Sequence, residues 1–155
     1  MRIGFTETAE HRIRETDGVD LRGGLPRAIY QHTEWTYLSA VTENGYFLRP
    51  TFRNMPYRNS FVPEIGVVVS REEGQTVLRM EGRPTDFVRI YMRFLLIVAA
   101  AFEVIVLIIA ATDGMEDIFP IFIPLILFVF NYLLCKFATK ASFRSAVKGI
   151  RKAFP

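Results

Sequence analysis

An α+β membrane protein is the fold class this sequence predicts: a small antiparallel β domain, a transmembrane α-helical hairpin and a basic amphipathic C-terminal helix. Three observations carry it. Two apolar runs, residues 94–111 and 118–135, are separated only by the acidic hexapeptide TDGMED. Ahead of them, two pairs of β-rich runs are each joined by a turn signal. Beyond the second apolar run, basic residues line up beside one apolar helical face.

Each apolar run amounts to about 27 Å of helix, close to the lower limit for crossing a bilayer core. The chain therefore divides into a cytoplasmic β-rich domain over 1–86, a two-helix hairpin over 87–138, and a basic cytoplasmic helix over 139–155. Half of the residues are hydrophobic, yet residues 1–86 read as an ordinary soluble domain. They hold eleven Arg, no Lys and twelve acids, so the net charge of +3 comes from the flanks of the helices. That distribution argues against a nucleic-acid surface. Arg83, Arg89 and Arg93 precede the first run and Lys136, Lys140 and Arg144 follow the second, while the connecting loop carries Asp113, Glu116 and Asp117 and no base. The positive-inside rule places both ends in the cytoplasm, in a multi-pass inner-membrane topology. The N-terminus has no apolar core of a signal peptide. Cys135, the one cysteine, is expected to be a small buried hydrophobe with no disulfide partner.

Ile3 and Phe5 alternate with polar neighbours, as in a short half-buried strand, and residues 9–14 are expected to form a turn of helix. The polar stretch that follows, through Gly23 and Gly24, reads as turns. From Trp35 the pattern sharpens. WTYLSAVT and YFLRPTF flank Glu43-Asn44-Gly45, and Asn-Gly between β-rich runs signals a hairpin whose central residues need positive φ. Pro50 confines the second strand to an edge or a boundary. A second hairpin pairs IGVVVS with QTVLRME across the four residues Arg71, Glu72, Glu73 and Gly74.

Phe47, Leu48 and Pro50, the YRNSFVPEIG stretch at 57–66, GQTV at 74–77 and the apolar helix that follows carry a resemblance. In them the chain resembles a group of small uncharacterised bacterial membrane proteins, in which a cytoplasmic β domain precedes a two-helix hairpin. The likeness is clear over the middle third and rests on hydropathy alone in the helices. It implies the architecture and brings no established activity. The chain departs from that pattern at Gly82-Arg83-Pro84-Thr85-Asp86, where a shorter apolar-aromatic approach to the membrane would stand.

Asp86 or Thr85 can cap a helix beginning at Phe87, and Asp117 can cap the second. Pro120 falls in a first turn, but Pro124 removes a helical hydrogen bond and predicts a kink. Tyr91 and Tyr132 lie at the cytoplasmic ends of the spans, where interfacial aromatics belong. Phe143, Val147, Ile150 and Phe154 share one helical face. With Lys140, Arg144, Lys148, Arg151 and Lys152 beside it, that helix is expected to lie along the inner membrane surface or to pack under the β domain, and to meet anionic headgroups.

Glu103, near the middle of the first span, most needs explaining. An acid at that depth costs about 2.5 to 3.5 kcal/mol even on lenient insertion scales, so a neutral, protonated carboxyl is expected. It reads either as a proton- or ion-carrying group or as a structural hydrogen bond to a neighbouring helix that holds the hairpin or a self-associated oligomer together, with Asn131 as the candidate partner. One acid, no intramembrane cation and two helices favour the structural role. Arg49, Arg53 and Arg58, interleaved with aromatics, form a possible anion or partner patch, although Arg alternating with apolar residues also describes the solvent face of a strand. His11 and His32 have no cysteine near them, so no metal site and no cofactor are expected. No phosphate loop, nucleophile elbow or zinc-protease signature occurs, and no enzyme activity is expected. The reading that follows is a membrane-anchored module that binds a protein partner or anionic lipid. The alternative is an oligomeric transport or channel component that uses Glu103.

Overall fold

The computed structural model describes residues 5–13, 20–51, 61–113 and 119–155. The expected strand at Ile3, the Asp117 cap, and Arg53 and Arg58 lie outside the described residues. The chain order is β1 (Glu7–Ile13), α1 (Leu21–Thr33), β2 (Tyr37–Thr42), β3 (Gly45–Pro50), β4 (Glu64–Glu72), β5 (Gln75–Arg83), α2 (Asp86–Asp113) and α3 (Phe119–Ala153).

Both hairpins form, each with a tighter turn than the sequence suggests. Thr42 pairs with Gly45, so the first loop is Glu43-Asn44, neither of which has positive φ, and Gly45 already belongs to β3. Glu72 pairs with Gln75, which leaves Glu73-Gly74 as a two-residue loop in place of the expected four. Their φ values of 53° and 78° are those of a type I′ turn, whose twist matches the flanking strands. Pro50 ends β3.

The sheet is five-stranded, open and antiparallel, in the order β1-β5-β4-β3-β2. Residues 9–13 are a correction. The expected turn of helix is instead part of edge strand β1, in register with β5 from Glu7↔Gly82 to Ile13↔Thr76. Polar and charged residues dominate this strand, so its alternation is faint, and pairing with β5 outweighs its local preference. The second correction is α1. Gly23, Gly24 and Pro26 all fall in its first half, yet the helix forms, with the Asp20 side chain accepting from the Gly23 backbone N–H at 3.2 Å. It ends at Glu34, which adopts φ 61° and donates its backbone N–H to the Tyr30 carbonyl. Leu25, Ala28 and Ile29 are buried, and this apolar stripe outweighs the propensity cost of the glycines.

α1 joins the two edge strands. The C-terminal part of α3 packs against α1, β1 and β5. One core results, in which Ile13, Leu25, Ile29, Leu48, Ile65, Leu78 and Met80 meet Phe143, Ala146, Val147 and Ile150. The predicted apolar face of the last helix therefore packs into the β domain. Residues 139–153 continue the second apolar helix, which runs through Pro124 as a single element. Two glycines allow the close approach. A Cβ on Gly149 would stand 2.9 Å from the Ala28 carbonyl oxygen, and one on Gly82 would stand 2.3 Å from the Phe143 ring. Tyr37 anchors the far side by donating to the Pro63 carbonyl at 2.9 Å, and burial pushes its hydroxyl well above the usual phenol range, so it stays a donor.

Below this core, Val88, Met92 and Cys135 form a second cluster with Phe5, Phe61, Leu95, Phe128 and Tyr132. Phe5 meets Tyr132 edge-on at 6.2 Å. Cys135 is buried, as expected.

Candidate functional site: the hairpin and its basic flank

α2 and α3 are both long and apolar enough to cross a membrane, and only 6% and 17% of their most apolar stretches are buried. Ile97, Phe102, Ile105, Ile108, Ile126 and Phe130 are all more than half exposed. A large apolar side chain left in water forgoes about 1.5 to 3 kcal/mol. About a dozen such residues would outweigh the typical stability of a domain, about 5 to 15 kcal/mol. The two helices support a membrane-associated topology.

The sheet and α2 are joined by charge. Glu64, buried at the start of β4, lies 3.4 Å from Arg49 Nε and 3.8 Å from Arg89 Nη2. Asp86 in the first turn of α2 lies 3.4 Å from Arg49 Nη2 and 2.7 Å from Arg89 Nη2. The Thr85 carbonyl accepts the Arg89 backbone N–H, so Thr85 takes the capping position and leaves the Asp86 carboxylate to the arginines. Arg49 is thus held by two internal acids, a different environment from the free anion patch read in the sequence. The arginine side chains are 63% and 42% exposed, so solvent screens the pairs. We expect Glu64→Gln, which keeps the shape and removes the charge, to lower stability by about 1 to 2 kcal/mol in thermal unfolding. An unchanged melting temperature would mean that screening is complete.

The basic residues of α3 separate into three environments. Lys140 pairs with Glu7 at 2.9 Å. Arg144, Lys148 and Arg151 line an open groove of about 490 Å³ against Glu7, Thr8 and Ala9 of β1, with Phe143 and Val147 at its base. Arg151 donates to the Glu10 carbonyl at 3.0 Å, while Arg144 and Lys148 are exposed and ion-pair with no acid among the described residues. Lys152 faces a different hollow, beside Gln31 and His32. His11 Nε2 donates to the Phe154 carbonyl, a contact that ties β1 to the end of the chain. No protein-family model matches this chain, and no curated protein or solved structure does either.

Within the hairpin, Glu103 and Asn131 line different grooves. Asn131 borders one of about 320 Å³ that includes Val98, Phe102 and Pro124, and its amide donates to the Leu127 carbonyl of its own helix at 2.9 Å. Glu103, half-buried, borders another of about 290 Å³, with Leu96, Ala99, Ala100, Leu125 and Phe128. No described residue hydrogen-bonds the Glu103 carboxyl. The Asn131 partnership expected from the sequence is not formed, since the two residues line different grooves and Asn131 donates one turn back on its own helix. Sequence reading also missed Glu64, which stands in a strand among apolar neighbours and is indistinguishable there from a solvent-facing acid.

Proposed function

We propose that this protein is a non-enzymatic, membrane-anchored module. It holds a cytoplasmic β domain against the inner leaflet and presents the Arg144–Lys148–Arg151 groove to an acidic segment of a protein partner. Both termini are cytoplasmic in this reading, as the basic flanks dictate. The observation that carries it is the continuity of α3. Counting from Lys136 at the membrane boundary, a rise of 1.5 Å per residue puts Lys140 about 6 Å out, Arg144 about 12 Å, Lys148 about 18 Å and Arg151 about 22 Å. A headgroup layer is roughly 5 to 8 Å deep. Lys140 therefore meets headgroups, while Lys148 and Arg151 stand beyond them, about a Debye length or more into the cytoplasm. An extended acidic chain fits a groove bounded by an edge strand and a basic helix, because the strand offers backbone groups and the helix offers charge.

The test uses the full chain in nanodiscs of phosphatidylcholine, with a fluorescent decaglutamate peptide as probe. Arg144→Gln with Lys148→Gln, both exposed and outside the core, is expected to weaken binding at least tenfold. Equal binding by the double variant would defeat the proposal. Loss of binding by the unmodified chain when phosphatidylglycerol is added would identify the groove as a lipid site instead.

The half-buried Glu103 favours a second reading, an oligomeric transport or channel component. A single hairpin is too thin to enclose a path, so this reading requires several copies. Proton flux into liposomes that disappears in Glu103→Gln would support it, and an absence of flux in the unmodified protein would remove it.

A further inference from the structure

We infer that Glu103 is a self-association site. Two copies of this chain pack α2 against α2, and each Glu103 carboxyl donates its O–H to the other. The inference rests on the membrane-anchored reading, and three observations and a symmetry argument carry it.

The first is depth. Glu103 lies about 13 Å along the helix from either end of the 94–111 span, beyond the reach of its two methylenes to the headgroups. A polar group there needs a partner within the bilayer, since lipid tails supply none. The second is that no described residue of this chain supplies one. Among the described residues nothing hydrogen-bonds the carboxyl, and Asn131, the nearest amide in sequence expectation, is bonded to Leu127. The third is shape. Glu103 stands in an open groove lined by Leu96, Ala99 and Ala100 of α2 and by Leu125 and Phe128 of α3. Small residues beside a polar one let a second helix approach closely enough for a hydrogen bond between side chains.

Symmetry selects the occupant. Two copies inserted in the same direction are related by a two-fold axis along the membrane normal, so any residue facing the axis meets its own counterpart at the same depth. Such an interface must be self-complementary. A protonated carboxyl is one of the few side chains that meets this condition, because it carries one donor and an acceptor on the same plane and satisfies both in a reciprocal pair. An unlike partner would instead have to bring a matching polar group to mid-bilayer.

The test begins with carbonate extraction of membranes from cells expressing the full chain, and continues in mild detergent and in nanodiscs. The chain is expected to resist extraction and to run as a dimer by light scattering. On a Cys135→Ser background, Ala100→Cys is expected to cross-link to itself under mild oxidation, and Val98→Cys, which borders the other groove, is expected to cross-link at least tenfold less. Glu103→Leu should shift the dimer dissociation constant at least tenfold, while Glu103→Gln, whose amide also donates and accepts, should retain most of the association. A chain released by carbonate would overturn the membrane reading itself. A chain that stays in the membrane but is monomeric, cross-links equally at both positions, or dimerises unchanged as Glu103→Leu would overturn the carboxyl pair and leave the anchor reading intact.

Discussion

A chain cut after Lys140 is expected to lose the folded β domain, although the cut removes no strand and lies outside residues 1–86. The missing segment carries Phe143, Ala146, Val147 and Ile150, all buried in the same core as Leu25, Ile29, Leu48 and Met80. Removing one large buried side chain typically costs about 2 to 5 kcal/mol. Removing three of them and an Ala together costs roughly 6 to 15 kcal/mol, as much as the roughly 5 to 15 kcal/mol that holds a domain folded. The loss of Arg151 from the Glu10 carbonyl, and of the Phe154 carbonyl from His11, also removes two ties from edge strand β1. The measurement is limited proteolysis of membranes containing the truncated chain, with the milder Ile150→Ala as a graded control. Cleavage should spread through β4 and β5 in the truncated chain, and Ile150→Ala should remain protected but melt earlier. A truncated chain as resistant as the full one would show that the sheet and α1 close a core without α3.

The second large effect is expected at Gly149. Its missing Cβ would fall 2.9 Å from the Ala28 backbone oxygen and 3.4 Å from the Ile29 Cα, so the obstruction is main chain that no side-chain rotation relieves. Gly149→Leu forces α1 and α3 apart and should cost about 3 kcal/mol or more. For a chain of this size that is roughly 6 to 12 °C in melting temperature. Gly149→Ala already places its Cβ at that 2.9 Å, and about 1 kcal/mol of helix propensity offsets only part of the cost. Thermal unfolding of the three proteins in detergent should therefore rank glycine first, alanine below it and leucine far below. A leucine variant that melts with the others would mean that the two helices separate at no cost.

Both effects arise where local pattern and tertiary contact diverge. The hairpins were legible because Asn44-Gly45 and Glu73-Gly74 mark their turns, and strand alternation is a local property. The turns still came out one or two residues tighter, since pairing of Arg71 and Glu72 with β5 decides where the loop begins. α1 was hidden by Gly23, Gly24 and Pro26, breakers whose cost is met by burying Leu25 and Ile29. β1 was hidden by its charges, which pair with long-range neighbours. Glu10 reaches Arg79 and Glu7 reaches Lys140. Of the candidate site residues, the basic row of α3 could be placed on one stretch, but its separation into ion-paired, groove and far-side positions could not. That separation depends on which face the sheet covers.

By itself the sequence determined the two apolar runs, the charge asymmetry across them, the two hairpins and the apolar spacing at 143–154. Each of these is written in the local order of residues, with a period or a sign that no distant contact has to complete. Only the tertiary structure decided that β1 and β5 are neighbours, that α1 bridges the edge strands, and that the amphipathic face serves the β domain. It also decided that Glu64 is buried among arginines and that Glu103 faces a groove away from Asn131. These depend on which surfaces meet, and an apolar stripe or a lone acid states a need for a partner without stating which partner meets it.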